Sequence, residues 1–171
     1  MDVFLNQQCD NALRRLASGD MSALEDIYSK LGRRIYMLAL SVLRDTHSAE
    51  DIMQDTFVRL AAEAHAYRHG SNAIAFILTV TRNLSINLLN RRRRECPTEY
   101  VPDVSDDTDA PCLTALEALS LLDETERQIV VLKLDGGMRH KQIAELIGIS
   151  TAACQKRYRR ALEKLKPYYL N

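Results

Sequence analysis

The sequence predicts an all-α protein with two small helical domains joined by an acidic flexible linker, the C-terminal domain being a helix-turn-helix. Three observations predict this fold. Apolar residues recur at spacings of three and four in several stretches, and no stretch alternates as a strand would. The segment 95–118 carries seven acids and no base, and two short helical patterns meet at Gly148. With 171 residues, 46% of them apolar, the chain can build the cores of two small domains.

The first domain, residues 1–94, is predicted to contain four helices. A short apolar pattern around Leu5, Leu13 and Leu16 predicts the first of them. The second has Asp20 or Ser22 as a candidate cap. Its apolar face comprises Leu24, Ile27, Tyr28, Leu31, Ile35, Leu38 and Val42. The third and fourth follow "RDTHSAED" and "RHGSN", with apolar stripes at Ala49, Ile52, Met53, Thr56, Phe57, Leu60 and Ala64, and at Ile77, Val80, Thr81, Leu84 and Leu88.

Residues 95–114 are predicted to form the linker. They include "CPTEYVPDVSDDTDAPC", which has three prolines and little periodicity. A segment so acidic cannot bury enough apolar surface to order itself. The chain has zero net charge, but its charges are segregated along the sequence. The acidic segment is followed by residues 119–171, which hold ten bases against six acids.

The second domain, residues 115–171, begins with two short helices that have Asp123 or Thr125 as a candidate cap. The helix "HKQIAELI" then ends at Gly148, whose missing side chain suits the left-handed conformation of a helix stop. Ser150 follows as the cap of the final helix. This is the turn chemistry of a helix-turn-helix.

The final helix is predicted to have two faces. The inner face comprises Thr151, Cys154, Tyr158, Ala161 and Leu165, and the outer face comprises Ala152, Ala153, Gln155, Lys156, Arg159 and Arg160, with Arg157 at the boundary. The outer face is small and uncharged at its start and cationic farther along, which suits entry into a DNA groove with phosphates beyond. A solvated cationic helix in an ordinary helical hairpin explains the same residues. The local pattern leaves both interpretations open.

Other classes of protein lack support in the sequence. No run of apolar residues approaches a membrane span, and the start, "MDVFLNQQCDNALRR", is not a signal peptide, so we expect a cytoplasmic protein without membrane insertion. No nucleophile motif, phosphate-binding glycine loop or metal-ligand spacing is present, so we expect no enzyme, cofactor or metal. The scattered cysteines are predicted to be free thiols: Cys9, Cys96, Cys112 and Cys154.

Three motifs in order resemble those of the bacterial RNA polymerase sigma factors of the extracytoplasmic-function type. "HSAEDIMQDTFVRL" resembles the family's acidic helix, and "NAIAFILTVTRNLSINLLNRRRR" resembles its promoter-melting helix. "LSLLDETERQIVVLKLDGGMRHKQIAELIGIS" followed by "RYRRALEKLK" resembles its C-terminal helix-turn-helix. The resemblance extends from about Leu24 to Leu165 and implies a subunit that directs the polymerase to promoters by recognising −10 and −35 elements.

The resemblance implies that an exposed edge of the acidic helix docks on the clamp helices of the polymerase β′ subunit. Its residues are Glu50, Asp51, Gln54 and Asp55, which lie off the apolar stripe. Acids near a helix N-terminus are also stabilised by the helix dipole, so this generic role competes with docking.

For the −10 element, the resemblance implies contacts from the loop "YRHGSN" and the following helix. The candidates are Tyr67, Ser71, Asn72, Arg82, Asn83, Asn87, Arg91, Arg92, Arg93 and Arg94. Aromatic and amide side chains can stack and hydrogen-bond the bases of a melted strand. Alternatively, Tyr67 packs in the core, and Ser71 or Asn72 caps the helix. Four adjacent arginines repel one another unless a polyanion neutralises them, which favours phosphate contacts over a solvated helix end.

For the −35 element, the implied contacts are Arg139, Lys141, Ala152, Ala153, Gln155, Lys156, Arg157, Arg159 and Arg160. The resemblance also implies a contact with the polymerase β flap and an anti-sigma partner. The linker either passes near the RNA exit path as a nucleic-acid mimic or is a solvated tether.

Two other functions compete with a sigma factor. A conventional helix-turn-helix regulator would bind promoters tightly without polymerase, whereas a sigma factor binds DNA weakly until the core enzyme holds both domains at the correct spacing. A small hydrolase using His47, His65 or His69 lacks any supporting motif.

Overall fold

The computed structural model describes residues 3–95 and 117–169, and every regular element in these two ranges is helical. The seven helices with defined bounds are α1 (Val3–Ala17), α2 (Ala23–Leu43), α3 (Thr46–Glu63), α4 (Ala73–Glu95), α5 (Glu124–Leu134), α6 (His140–Ile147) and α7 (Thr151–Tyr169), and a 3-10 turn covers Ala64–Ala66. This confirms the all-α prediction. The predicted linker lies, except for Glu95, outside the described residues, as do Cys96 and Cys112.

Residues 3–95 form the N-terminal half of the protein. Helix α2 is its centre and contacts α1, α3 and α4. Its residues Ile27, Leu31, Ile35 and Leu38 are fully buried, as the periodicity predicts. Tyr28 was wrongly placed on this face, because its side chain is 57% exposed. Its ring lies 5.7 Å from that of Phe57, so it packs on α3 at the surface.

The two predicted caps of α2 act differently from expectation. Ser22 occupies the N-cap position but makes no side-chain hydrogen bond to the helix. Asp20 instead accepts hydrogen bonds from the Ser22 amide and hydroxyl, so it shapes the turn before the helix. At the other end, α2 stops at Arg44, which adopts the left-handed conformation (φ 56°) and donates its amide to Leu40 O.

In the C-terminal half, residues 117–169, the helix ends lie where the capping residues in the sequence predict them. Asp123 caps α5 in a capping box, because its carboxylate accepts from the Glu126 amide at 2.8 Å and Glu126 accepts from the Asp123 amide at 3.0 Å. Gly148 ends α6 with φ 80°, and the Ser150 hydroxyl accepts from the Ala153 amide at 3.1 Å to start α7. Thr151 was wrongly assigned to the inner face of α7, because it is exposed.

The two halves pack against each other, which no sequence pattern predicted. Helix α5 contacts α2, and buried residues of both halves form one hydrophobic cluster. The buried guanidinium of Arg127 donates to Ser41 O in α2 at 3.0 Å and to Leu122 O at 2.7 Å. A Cβ on Gly136 would meet Leu78 Cδ1 at 2.8 Å. The halves therefore touch at van der Waals distance.

By length and composition alone, α4 is the one described helix that would be able to cross a membrane. A core helix passes the same test. Here α4 packs against α1, α2 and α3 and buries Ile74, Ile77 and Leu78.

We predict that Gly136→Ala lowers the free energy of unfolding by about 1–3 kcal/mol, because the new methyl group would overlap Leu132 O (2.6 Å) and Leu78 Cδ1. The matched control is Gly32→Ala within α2, where a Cβ would lie 3.5 Å from the Tyr28 ring. Since alanine favours a helix interior, this control should raise the free energy of unfolding by about 0.5–1 kcal/mol. Urea denaturation measures both, and a stabilised Gly136→Ala variant would contradict the close approach of the halves.

Candidate nucleic-acid and protein interfaces

The acidic edge of α3, defined as Glu50, Asp51, Gln54 and Asp55, is exposed along its length. The opposite face of the helix buries Ile52 and Thr56. The first turn of α3 contains no acid, so the helix dipole, whose effect falls off within one turn, does not account for these residues. Within the described residues, none of the four takes part in an ion pair. Val58, 70% exposed, extends the same surface with an apolar side chain.

The candidate −10 residues in the loop of residues 67–72 differ in exposure: some are internal and one is at the surface. Tyr67 is buried (4% exposed) and donates its hydroxyl to Asp10 Oδ1 at 2.7 Å. Burial and the nearby Asp10 carboxylate raise the pKa of Tyr67 to about 12. Asn72 accepts from the Ala75 amide at 3.0 Å and caps α4. Tyr67 therefore packs in the core and Asn72 caps a helix, which are the two alternatives to base contact. Ser71 is exposed.

Helix α4 presents Asn83 and Asn87 on its exposed surface. Asn87 lines a cleft together with Asn90, Arg93 and Arg94, so the structure adds Asn90 to the candidate surface. Asn90 continues the exposed amide residues of α4 one turn beyond Asn87, a spacing that could have identified it from the sequence. Amide and guanidinium groups in one cleft can donate to phosphates and to base edges.

The arginine run of α4 has protein partners, which corrects the argument that only a polyanion would neutralise it. Arg91 pairs with Glu95 at 2.9 Å, and Arg92 pairs with Asp45 at 3.3 Å. Arg93 reaches Glu124 of α5 at 2.7 Å. Because carboxylates already compensate these charges, repulsion within the run does not by itself require DNA.

Two candidate DNA-binding cations of α4 are held by the C-terminal half. Arg82 is half-buried and donates to Gln128 Oε1 at 2.7 Å, and Arg93 pairs with Glu124. Sequence reasoning missed Gln128 and Glu124, because they follow a helix cap and carry no motif that points to a distant partner.

On α7, the candidate −35 residues divide into free-standing and anchored side chains. The exposed residues are Ala152, Gln155, Lys156 and Arg159, with Arg139 and Lys141 exposed nearby at the start of α6, and Ala153 is half-buried. Arg160 donates to Glu126 at 2.5 Å and to Asp123 at 3.1 Å, and Arg157 lies 3.5 Å from Asp123. Arg160 and Arg157 therefore tie α7 to the start of α5.

Glu126 anchors this arrangement. It has no exposed surface, and it accepts hydrogen bonds from Lys164 (2.7 Å), Arg160 and the Asp123 amide. Burial alone would raise the pKa of Glu126, but these hydrogen bonds outweigh it and hold the pKa below its usual value. One buried carboxylate thus fixes α7 relative to α5.

No group of three or more His, Cys, Asp or Glu side chains in residues 3–95 and 117–169 is placed to hold a metal ion. Cys9 and Cys154 are free and buried, and burial raises the pKa of both thiols, to about 11 for Cys9.

Two family models match this chain. Residues 27–95 match sigma-70 region 2, and residues 113–165 match sigma-70 region 4. Together they cover the acidic edge, α4 and the helix-turn-helix.

Two curated relatives align with this chain over nearly their whole length. The chain is 30% identical to the RNA polymerase sigma factor CarQ of Myxococcus xanthus, over 90% of this chain and 93% of CarQ. It is 25% identical to the ECF RNA polymerase sigma factor SigK of Mycobacterium tuberculosis, over 95% of this chain and 94% of SigK.

Solved structures share the fold. The sigma factor RpoE of Bartonella quintana, in complex with the anti-sigma factor NepR, superposes with a TM-score of 0.72 at 21% identity, covering 84% of this chain and 94% of RpoE. CnrH, in complex with the cytosolic domain of CnrY, superposes with a TM-score of 0.70 at 22% identity, covering 95% of this chain and 97% of CnrH.

We predict that Glu126→Gln lowers the free energy of unfolding by about 2 kcal/mol at pH 7, because charge-assisted hydrogen bonds from Arg160 and Lys164 are lost. Glu126 has a lowered pKa in the folded protein, so its stabilisation is full above its ordinary pKa, near 4.5, and disappears as pH falls through the lowered value. The difference in stability between the two proteins should therefore shrink as pH falls below about 4.5 and vanish once pH is below the lowered pKa.

Urea denaturation between pH 7 and pH 3 measures this difference. The control is Glu163→Gln, which removes an exposed pair with Lys166 and should cost no more than about 0.5 kcal/mol. A constant difference between wild type and Glu126→Gln across this pH range would contradict the anchoring role.

Proposed function

The chain belongs to the extracytoplasmic-function sigma factors, which direct RNA polymerase in transcription initiation, and we propose how its two helical units divide that work. Residues 1–94 dock on the core enzyme and open and read the −10 element. Residues 115–171 read the −35 element, and residues 95–114 connect the two units. Full-length similarity to sigma factors disfavours a regulator that acts without being a polymerase subunit.

The acidic edge of α3 is the proposed docking surface for the clamp helices of the β′ subunit. The observation that carries this proposal is that its acids are exposed, lie beyond the first helical turn and have no ion-pair partner within the described residues. Solvated carboxylates without internal partners are available to a basic surface and provide orientation and a fast association rate. Val58 would add apolar contact area at the end of this edge.

Helix α4 and the loop before it form the proposed −10 surface. Asn83 and Asn87 offer amide groups to the edges of unpaired bases, and the cleft at the end of the helix offers Arg93 and Arg94 to phosphates. Since Arg82 and Arg93 are held by α5, DNA can engage them only after they exchange these partners. We therefore expect the contact between the halves to loosen when the polymerase complex forms on a promoter.

Helix α7 is the proposed reader of the −35 element in the major groove. Ala152 and Ala153 allow close approach of the backbone, Gln155 can bond a base edge, and Lys156 and Arg159 reach phosphates. Arg157 and Arg160 mainly orient the helix through Asp123 and Glu126.

Further partners and the cellular location follow from the family and are proposed here. They are the β flap of the polymerase for the C-terminal unit, an anti-sigma factor, and a cytoplasmic location. One solved relative is itself a complex with an anti-sigma factor. The protein would act by binding alone, without a cofactor or covalent chemistry of its own.

The direct test is in vitro transcription with purified core polymerase on a library of promoters. We expect transcripts that require this protein, and weak binding of promoter DNA by the protein alone. No initiation dependent on the protein, together with tight promoter binding without polymerase, would overturn the assignment in favour of a conventional regulator.

We predict that Asp51→Arg with Asp55→Arg abolishes assembly with core polymerase, because both side chains lie on the exposed acidic edge and would face a basic partner. Co-purification with core enzyme measures assembly, and circular dichroism checks that helical content is unchanged. The control is Glu25→Arg with Glu145→Arg, which makes the same charge change at exposed positions of other helices. Assembly of the first variant at the level of the control would refute the docking surface.

We also predict different effects for two neighbouring residues of α7. Lys156→Ala should weaken holoenzyme binding to all promoters and reduce the slope of log affinity against log salt by about 1, as expected for one phosphate contact. Gln155→Ala should instead change the preference at one base pair of the −35 element, by about 1–3 kcal/mol. Binding measured across salt concentrations and single-base promoter variants separates the two, and identical profiles would contradict this division.

A further inference from the structure

Helix α1 lies outside the part of the chain that matches a family model, since the region 2 match begins at residue 27. It nevertheless packs against α2, α4 and the 3-10 turn at Ala64–Ala66. Its buried face includes Leu13 and Leu16, as expected for a helix that completes a bundle. The same face also buries Asp10, which a purely apolar contact would not require.

The carboxylate of Asp10 bonds the loop of residues 67–72. Its side chain is only 3% exposed, and Oδ1 accepts from the Tyr67 hydroxyl and from the Gly70 amide, both at 2.7 Å. Oδ2 lies 3.5 Å from an Arg14 side-chain nitrogen. Both loop groups therefore donate to a single oxygen of a residue about 60 positions earlier in the chain.

Asn6, one turn earlier on α1, holds the far end of the same loop. Its amide nitrogen donates to Ser71 O and its amide oxygen accepts from the Ile74 amide, both at 3.3 Å. Asn6 and Asp10 lie on the same face of α1 because they are four residues apart. Together they contact the loop from Tyr67 to the first turn of α4.

These bonds fix which loop side chains face outward. Tyr67 is drawn into the core, where its ring lies 5.1 Å from that of Phe76. Gly70 adopts φ 79°, a left-handed conformation in which its amide points at Asp10. Arg68, His69 and Ser71 are left exposed between these anchors.

We propose that α1 is a positioning element for DNA reading, in which Asp10 and Asn6 hold the loop of residues 67–72 so that Arg68, His69 and Ser71 meet one unpaired base of the melted −10 strand. This inference rests on the proposed function of the N-terminal half. It assigns base discrimination to the loop's exposed side chains and loop geometry to Asp10. Tyr67 is an anchor of the loop and does not contact the base.

The test compares Asp10 variants in the assembled holoenzyme. Asp10→Ala removes both bonds to the loop, whereas Asp10→Asn keeps an oxygen that accepts from Tyr67 and Gly70. Arg14→Ala is the matched control on α1, because it removes only the exposed partner of Asp10. The readout is the ratio of initiation rates on promoters that differ by a single base in the −10 element.

We expect Asp10→Ala to reduce this ratio at one base position by about tenfold, since misplacement of a positioned group by an ångström has effects of this order or larger. Asp10→Asn and Arg14→Ala should stay within about twofold of wild type. Selectivity at the −35 element should not change in any variant. Hydrogen exchange of the Gly70 amide should become fast in Asp10→Ala and stay slow in Asp10→Asn.

The possible outcomes separate a failure of this inference from a failure of the proposed −10 function on which it rests. If wild-type holoenzyme shows no base preference in the −10 element, the proposed −10 role of the N-terminal half fails. If wild type discriminates and Asp10→Ala discriminates equally well, the positioning role of α1 is wrong while the −10 role stands. If Asp10→Ala does not assemble with core enzyme, two milder variants decide the question: Tyr67→Phe, which removes one bond to Asp10, and Asn6→Ala, which removes two longer bonds. Wild-type selectivity in both of those variants would overturn the proposal.

Discussion

The contact of Arg127 with α2 is the interaction on which the arrangement of the two halves depends. A buried guanidinium is tolerated only where its hydrogen bonds are made, and here they go to the carbonyls of Ser41 and Leu122. These bonds fix α5 against α2 and bring Gln128 and Glu124 to the cations of α4. The shared core forms around the same contact and includes Leu78, which lies against Gly136. Two units that we propose read separate DNA elements are therefore joined face to face in this structure.

This arrangement leaves the proposed polymerase surface free while it occupies part of the proposed DNA surface. The acidic edge of α3 is exposed, whereas Arg82 and Arg93 are bound by α5. Under the proposed function, docking on the core enzyme needs no rearrangement, but reading of the promoter does. The interface between the halves combines a buried charge with hydrogen bonds to polar side chains, and water or DNA phosphates can replace the hydrogen bonds when it opens.

Two buried carboxylates play the same physical part in different halves. Asp10 connects α1 to the loop before α4, and Glu126 connects the start of α5 to α7. In each case donors from a distant segment compensate the cost of burying the charge, so the segment is held in one geometry. Both carboxylates have a lowered pKa as a result, because the hydrogen bonds and charges outweigh desolvation. Each supports a surface proposed to read DNA, and neither faces the DNA itself.

The sequence by itself determined the helices, the helix-turn-helix and the family, because those signals are local: apolar periodicity, the capping box of Asp123 and the left-handed stop at Gly148. Periodicity places a residue on a face but does not say what covers that face, so Tyr28 and Thr151 were placed inside and lie at the surface. Only the tertiary structure decided that Tyr67 is an anchor, that Arg160 ties two helices together and that the halves share a core. Those outcomes depend on partners 34 to 86 residues away, a distance over which no local pattern carries information.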